Sequence, residues 1–116
     1  MKNVVDCACQ GDVFVKRIDS IPKSAVEVPM SKEVPGKYII AHSETGHHHV
    51  IDAKKAKFYI DPADTMLGYI SVFDKHADIE HLRSFDTHEA LRLPTGSFEL
   101  RRQREWSPEG WKIVAD

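Results

Sequence analysis

"KYIIAHSETGHHHVID", Lys37–Asp52, carries two alternating β-forming segments on either side of a Gly-containing break. Before the break, Tyr38, Ile40, His42 and Glu44 share one face, and Ile39, Ala41 and Ser43 share the other. After it, His47, His49 and Ile51 share a face. A period of two on both sides of a Thr-Gly step predicts an antiparallel hairpin with its turn inside Glu44–Gly46.

The register of that hairpin decides what its histidines can do. If Thr45-Gly46 is a two-residue loop, Glu44 faces His47 and His42 faces His49. His42, Glu44, His47 and His49 then lie on one face, with opposite Cβ atoms ~4.5–5.5 Å apart. Three imidazoles and a carboxylate at that spacing suit Zn²⁺ or another divalent ion. If the loop is Glu44-Thr45-Gly46 with a left-handed glycine, His42 faces His48 and the set divides between two faces. The longer loop has the better turn chemistry, because Thr disfavours positive φ. A solvated, metal-free hairpin is the plainer alternative, and a histidine proton switch at an interface is a third. His76, His81 and His88 are remote histidines that could add ligands.

The same period extends along most of the chain. "DVFVKRI" (12–18) is a strand with Phe14 and Ile18 on one face and Val13 and Val15 on the other. "AVEV", between Pro22 and Pro29, reads as a short edge strand, and Met30 to Gly36 as a loop. "AKFYI", "YISVF", "EALRL" and "SFELRRQREW" follow as strands. Pro94 to Gly96 reads as a tight turn, with Pro first and Gly last. "DPADTMLG" and "DIEHLRSF" have room for one helical turn each, and "SPEG" (107–110) has an N-cap, an N1 proline and a closing glycine. The expected fold is one all-β domain over 1–116, a small antiparallel barrel or sandwich with one or two short helical turns. Residues 1–10 form a candidate N-terminal arm. Phe14, Ile18, Ile40, Phe58, Val72, Leu91, Phe98 and Leu100 are its expected core.

Composition narrows the function. A chain of 116 residues with 41% apolar and 29% charged residues is sized and composed for one soluble core. Its net charge of −2 gives no general attraction to nucleic acid or anionic membrane. No apolar run approaches the roughly 20 residues of a membrane span, and the N-terminus lacks the apolar h-region of a secretory signal. The cytoplasm, or a particle assembled there, is the expected setting.

Cys7 and Cys9, two apart on a strand, would point the same way with Cα atoms roughly 6.6 Å apart, a poor geometry for a mutual disulfide. Reduced thiols, a two-thiolate metal arm or disulfides to other chains remain open for them. There is no nucleophile elbow, Gly-rich phosphate loop or His-Glu-x-x-His pattern, so a nucleophilic enzyme or a zinc protease is not expected. "RRQRE" places Arg101 and Arg102 on opposite faces. With Arg104 and Trp106 they form a candidate interaction surface for an acidic or protein partner, against the plainer reading of a solvated edge.

"QGDVFVKRIDSIP", "SETGHHHVI" and "LPTGSFELRRQREWSPEGWKIVAD" together resemble a family of small uncharacterised proteins from bacteria and phages. Its marks are a Gly-His-x-His motif, here Gly46, His47 and His49, and a C-terminal Arg-Gln-Arg-Glu-aromatic, Ser/Thr-Pro-Glu motif. The resemblance covers about Gln10 to Asp116 and implies no activity. "HHH" and "LPTG" are also similar, more weakly, to cupin motifs, without a downstream glutamate and histidine at matching spacing. The expected function is a non-enzymatic β module acting through its surface, as a virion accessory that decorates or joins a capsid. Its partners would be virion proteins or further copies of itself. The alternative is a β protein, cupin-like if enzymatic, that binds a divalent metal through the His47/His49 hairpin.

Overall fold

The computed structural model describes residues 1–42, 48–82, 89–102, 104–107 and 110–113, with the backbone alone at Thr65 and from Arg104 onward. The chain begins with β1 (Lys2–Asn3), β2 (Cys7–Gln10) and β3 (Val13–Ile18). β4 (Val26–Glu27), β5 (Lys37–Ala41), β6 (His49–Asp52) and β7 (Ala56–Asp61) follow. β8 (Asp64–His81) and β9 (Leu91–Arg102) are the two long strands, and β10 (Arg104–Ser107) and β11 (Gly110–Ile113) come last.

The first nine strands form one sheet, antiparallel except for β1, whose central order is β2-β3-β9-β8-β6-β5. β8 and β9 are its spine. The first part of β8 pairs with β7, which carries β4, and its end pairs with β6 and so with β5. The end of β9 pairs with β3, and its first residues pair with β1. The spine therefore has two halves with different neighbours.

The junction between the halves is a bulge. Val72 stands opposite Gly96 and His76 opposite Pro94, so Phe73, Asp74 and Lys75 face Thr95 alone. Extra residues on one strand bend and twist a sheet. The Thr95 hydroxyl donates to the Asp74 carbonyl at 2.5 Å, and Gly96 adopts φ 143°, a region that favours glycine. Pro94 to Gly96, expected as a tight turn, instead runs through β9. The bend is absorbed by the partner strand, so the chain need not reverse there.

Folded at this junction, the halves enclose one core. Val15, Phe58, Ile70, Phe98 and Leu100 come from the first half, and Ile51, Ile79, Leu91 and Leu93 from the second. Cross-strand register lays the first half out in rows. Arg17, Phe98, Ile70 and Phe58 are successive partners, as are Val15, Leu100, Gly68 and Ile60. Gly68 is needed in its row, since a Cβ there would lie 2.7 Å from Phe58 Cε1.

The all-β class agrees with the period of two. Six of the eight expected core residues are buried: Ile40, Phe58, Val72, Leu91, Phe98 and Leu100. Phe14 and Ile18 are not among them, being only half-buried, while Val13 and Val15 are at 0% exposure. Both faces of β3 are apolar, so alternation separates them without saying which is inner. Pairing with β9 decides, placing Val15 beside Leu100 and Phe14 beside Arg101.

The helical turns are absent among the described residues. "DPADTMLG" is a β7–β8 hairpin, in which the Asp61 and Asp64 carboxylates accept the backbone N–H of Ala63 and Met66. Aspartate side chains that satisfy nearby amides compete with helix. "DIEHLRSF" begins as the end of β8, and its last part and the Pro108-Glu109 step lie outside the described residues. Among the described residues no helix is long and apolar enough to cross a membrane.

Candidate functional site: a buried polar anchor and the cleft beside it

Gln10 pairs with Val13, so the β2–β3 hairpin closes through the two residues Gly11 and Asp12. Gly11 has φ 58°, as the first position of a type II′ turn requires. The tip of this hairpin turns inward, and the Asp12 side chain is at 0% exposure. A buried carboxylate needs partners. Arg102, at the end of β9, donates Nε and Nη2 to Asp12 Oδ2 at 3.0 and 2.6 Å. His49 Nε2 lies 3.3 Å from the other oxygen, Oδ1.

His49 and His81 are register partners on β6 and β8, one step beyond the pair Ile51 and Ile79. They share the inner face, and their rings stack at 4.1 Å with 7° between planes. Gln10 reaches them from the opposite half of the sheet. Its Nε2 donates to the Ile79 and Glu89 carbonyls, both at 3.0 Å. That fixes the amide, so Oε1 accepts from His49 Nδ1 at 2.9 Å. The two ring nitrogens of His49 thus face the Gln10 amide oxygen and the Asp12 carboxylate. Gln10, Asp12, His49, His81 and Arg102 form a polar anchor that ties the two halves together.

Of the candidate ligands of the hairpin, His42 and His49 are described, and they separate. Ala41 stands opposite His49, with a register shift between Ile39 and Ala41. Continuing from Ala41 and His49 puts His42 across from His48, the register of the longer loop. The His42 and His48 rings meet edge to face at 5.2 Å, and His48 Nε2 lies 3.1 Å from Glu33 Oε1. His42 is exposed whereas His49 is at 1% exposure, so the two point into different surroundings. Glu44 and His47 lie outside the described residues, as does His88. His76 is 3.8 Å from Asp78 on β8, away from the anchor.

Arg101 and Arg102 do point to opposite faces. Arg101 is exposed and donates to Glu99 at 2.6 Å, whereas Arg102 turns in to Asp12. Arg104 and Trp106 lie on β10, with their side chains outside the described residues. Cys7 and Cys9 are exposed on one face of β2.

Beside the anchor, the edge of β5, unpaired among the described residues, and the β7–β8 side of the sheet leave a cleft of ≈ 220 Å³. Its walls are apolar, with Ile40, Phe58, Ile60 and Leu100 among them. Arg102 and His42 also line it. The anchor holds Arg102 at the cleft through Asp12, so the two features are one site.

Fold and site define a bent antiparallel β module, pinned internally by buried polar groups, with a small cleft at its open edge. The family model "Domain of unknown function (DUF8820)" matches residues 9–103, and the chain belongs to that family. No curated protein and no solved structure matches the chain. All five anchor residues fall within the matched stretch, and β10 and β11 lie beyond it.

Gln10 and Asp12 are functional candidates that sequence reasoning passed over, and it names His81 only as a remote histidine that could add a ligand. "QGDV" carries a signal in retrospect, a Gly-Asp two-residue loop between alternating segments. His49 was legible as a face-mate of Ile51, which makes it as buried as Ile51.

Proposed function

We propose that this chain is a non-enzymatic β module that works by association within a larger assembly, as a virion accessory that decorates or joins a capsid. The observation that carries this reading is the C-terminal hairpin. β10 and β11 form a two-stranded sheet of their own, apart from the nine-stranded body, and beyond the residues matched by the family model. Trp106 stands opposite Trp111 in its register, and Arg104 opposite Ile113. A lone two-stranded hairpin is marginally stable in water, and tryptophan and arginine are the residues most enriched at binding hot spots. A hairpin of that composition gains stability when another surface covers it. The likeness of the chain to small proteins of bacteria and phages supports the virion setting.

The test is particle composition. Mass spectrometry of density-gradient-purified virions from the encoding phage or lysogen should find this chain in fixed ratio to the major capsid protein. Trp106→Ser combined with Trp111→Ser should remove it from particles while leaving the thermal midpoint of the body nearly unchanged. Virions without the chain would refute the reading.

A further inference from the structure

We infer that Cys7 and Cys9 form a two-coordinate site for a soft monovalent ion, copper(I). The inference depends neither on the assembly role nor on the hairpin histidines. β2 alternates exposed and buried residues, so both thiols stand on its outer face while Ala8 and Gln10 point into the core. Among the described residues β2 ends the sheet, with β3 on its one paired side. The two sulfurs therefore lie at an edge that an ion reaches directly from solvent.

Spacing decides what the pair can hold. A strand rises ~3.3 Å per residue, which sets the parallel side chains of Cys7 and Cys9 roughly 6.6 Å apart. A disulfide needs its sulfurs ~2.05 Å apart, so each would have to lean inward by about 2.3 Å, further than one Cβ–Sγ bond carries it. An ion between them relaxes the requirement. With metal–sulfur bonds of ~2.3 Å, two thiolates in line with one ion stand ~4.6 Å apart, and each sulfur leans by only about 1 Å. The spacing that defeats a mutual disulfide thus admits a bridging ion.

The donor set chooses the ion. Thiolates select soft ions. Zn²⁺ also takes thiolates, but its structural sites close a tetrahedron of four ligands. Among the described residues no three His, Cys, Asp or Glu side chains gather as such a site requires. Copper(I), a closed-shell ion, is satisfied by two sulfurs in line. Both thiol protons pass to solvent on binding, and the complex of one Cu⁺ with two thiolates carries one negative charge. Lys16 stands opposite Cys7, and Arg17 lines the same hollow, against the single carboxylate of Asp6 in its lining. Glu99, on the far side of Lys16, is taken by Arg101 at 2.6 Å. The charge around the pair therefore favours an anionic complex, while the sulfurs supply the specificity.

The probe is copper(I) as its acetonitrile complex, titrated without oxygen into tag-free full-length protein against the chromophoric chelator bicinchoninate. One copper per chain is expected, with two sulfur neighbours by X-ray absorption and one chain per ion by native mass spectrometry. Cys7→Ser and Cys9→Ser alter exposed side chains, and thermal midpoints should show both variants folded. Each should weaken copper by about a hundredfold or more, the advantage of two linked ligands over one. Lys16→Glu, also at an exposed residue, should weaken it several-fold at low salt without changing the stoichiometry. Copper held at wild-type strength by either serine variant, or no copper uptake by the wild type, would overturn the site. A third sulfur or nitrogen neighbour, or one ion shared by two chains, would overturn the two-coordinate geometry within one chain. Zn²⁺ binding tighter than copper(I) would overturn the choice of ion, and unchanged affinity in Lys16→Glu would overturn the part given to Lys16.

Discussion

His49 on β6 and His81 on β8 are cross-strand partners whose rings stack face to face, 4.1 Å apart and 7° from parallel, inside the core. In an ordinary sheet this inner position would hold another aliphatic pair, as Ile51 and Ile79 do one step earlier. Here two imidazoles occupy it, and Gln10 and Asp12 cross from the other half of the sheet to satisfy His49. The cross-links join β2, β6, β8 and β9, which no local segment could join alone.

Breaking this anchor should be costly. Asp12→Ala leaves Arg102 and His49 facing a cavity, and loss of one partner of a buried pair costs about 3–5 kcal/mol. Gln10→Ala strands two carbonyls and the His49 N–H, at about 1–3 kcal/mol. His42→Ala, on an exposed residue, should stay within about 0.5 kcal/mol. Urea unfolding measures all three. A loss under ~1 kcal/mol for Asp12→Ala would mean that the anchor does not bear on stability.

Metal binding at the hairpin would require His49 to give up Gln10 or Asp12. His49→Ala is therefore expected to lower the thermal midpoint, while His42→Ala, on an exposed residue, changes it little. Metal analysis of tag-free protein is expected to show no stoichiometric Zn²⁺ that depends on His49. Metal lost in step with His49→Ala alone would contradict this and point to a rearranged ring.

The inner face of β3 can be tested by truncation. Phe98, at 0% exposure, should lose about 3–5 kcal/mol on change to Ala. Phe14, half-buried beside Arg101, should lose clearly less. Equal losses in equilibrium unfolding would mean that β3 is turned over.

Asp78 and Arg92 are register partners, with Arg92 Nε and Nη2 donating to the two carboxylate oxygens at 2.9 and 3.1 Å. These hydrogen bonds hold the Asp78 carboxyl below the usual carboxylate range, against the opposing effect of desolvation. A depressed folded-state pKa adds stability that is complete above the unfolded value of about 3.9 and is lost as pH falls through the folded value. Asp78→Asn should therefore fall furthest below wild type near neutral pH, with the gap closing from about pH 4 downward. Urea midpoints of both proteins from pH 7 to pH 3 provide the check, and a constant gap would refute the assignment.

Alternation alone determined that this chain makes antiparallel strands, that Lys37 to Asp52 folds back on itself, and that His49 lies with Ile51, because side chains in a strand alternate whatever surrounds them. It also separated Arg101 from Arg102. Local pattern could not say which face of "DVFVKRI" is inner, because Val and Phe occupy both. It could not foresee that "LPTG" runs straight on, because the bend lies in Phe73–Lys75 on the partner strand. Nor could it bring Gln10 and Asp12 to His49, His81 and Arg102, since those contacts span 39 residues from Gln10 to His49 and 90 from Asp12 to Arg102. Only the bent spine brings them together. Long-range pairing chose the faces, and the need to satisfy buried polar groups set the partners of His49.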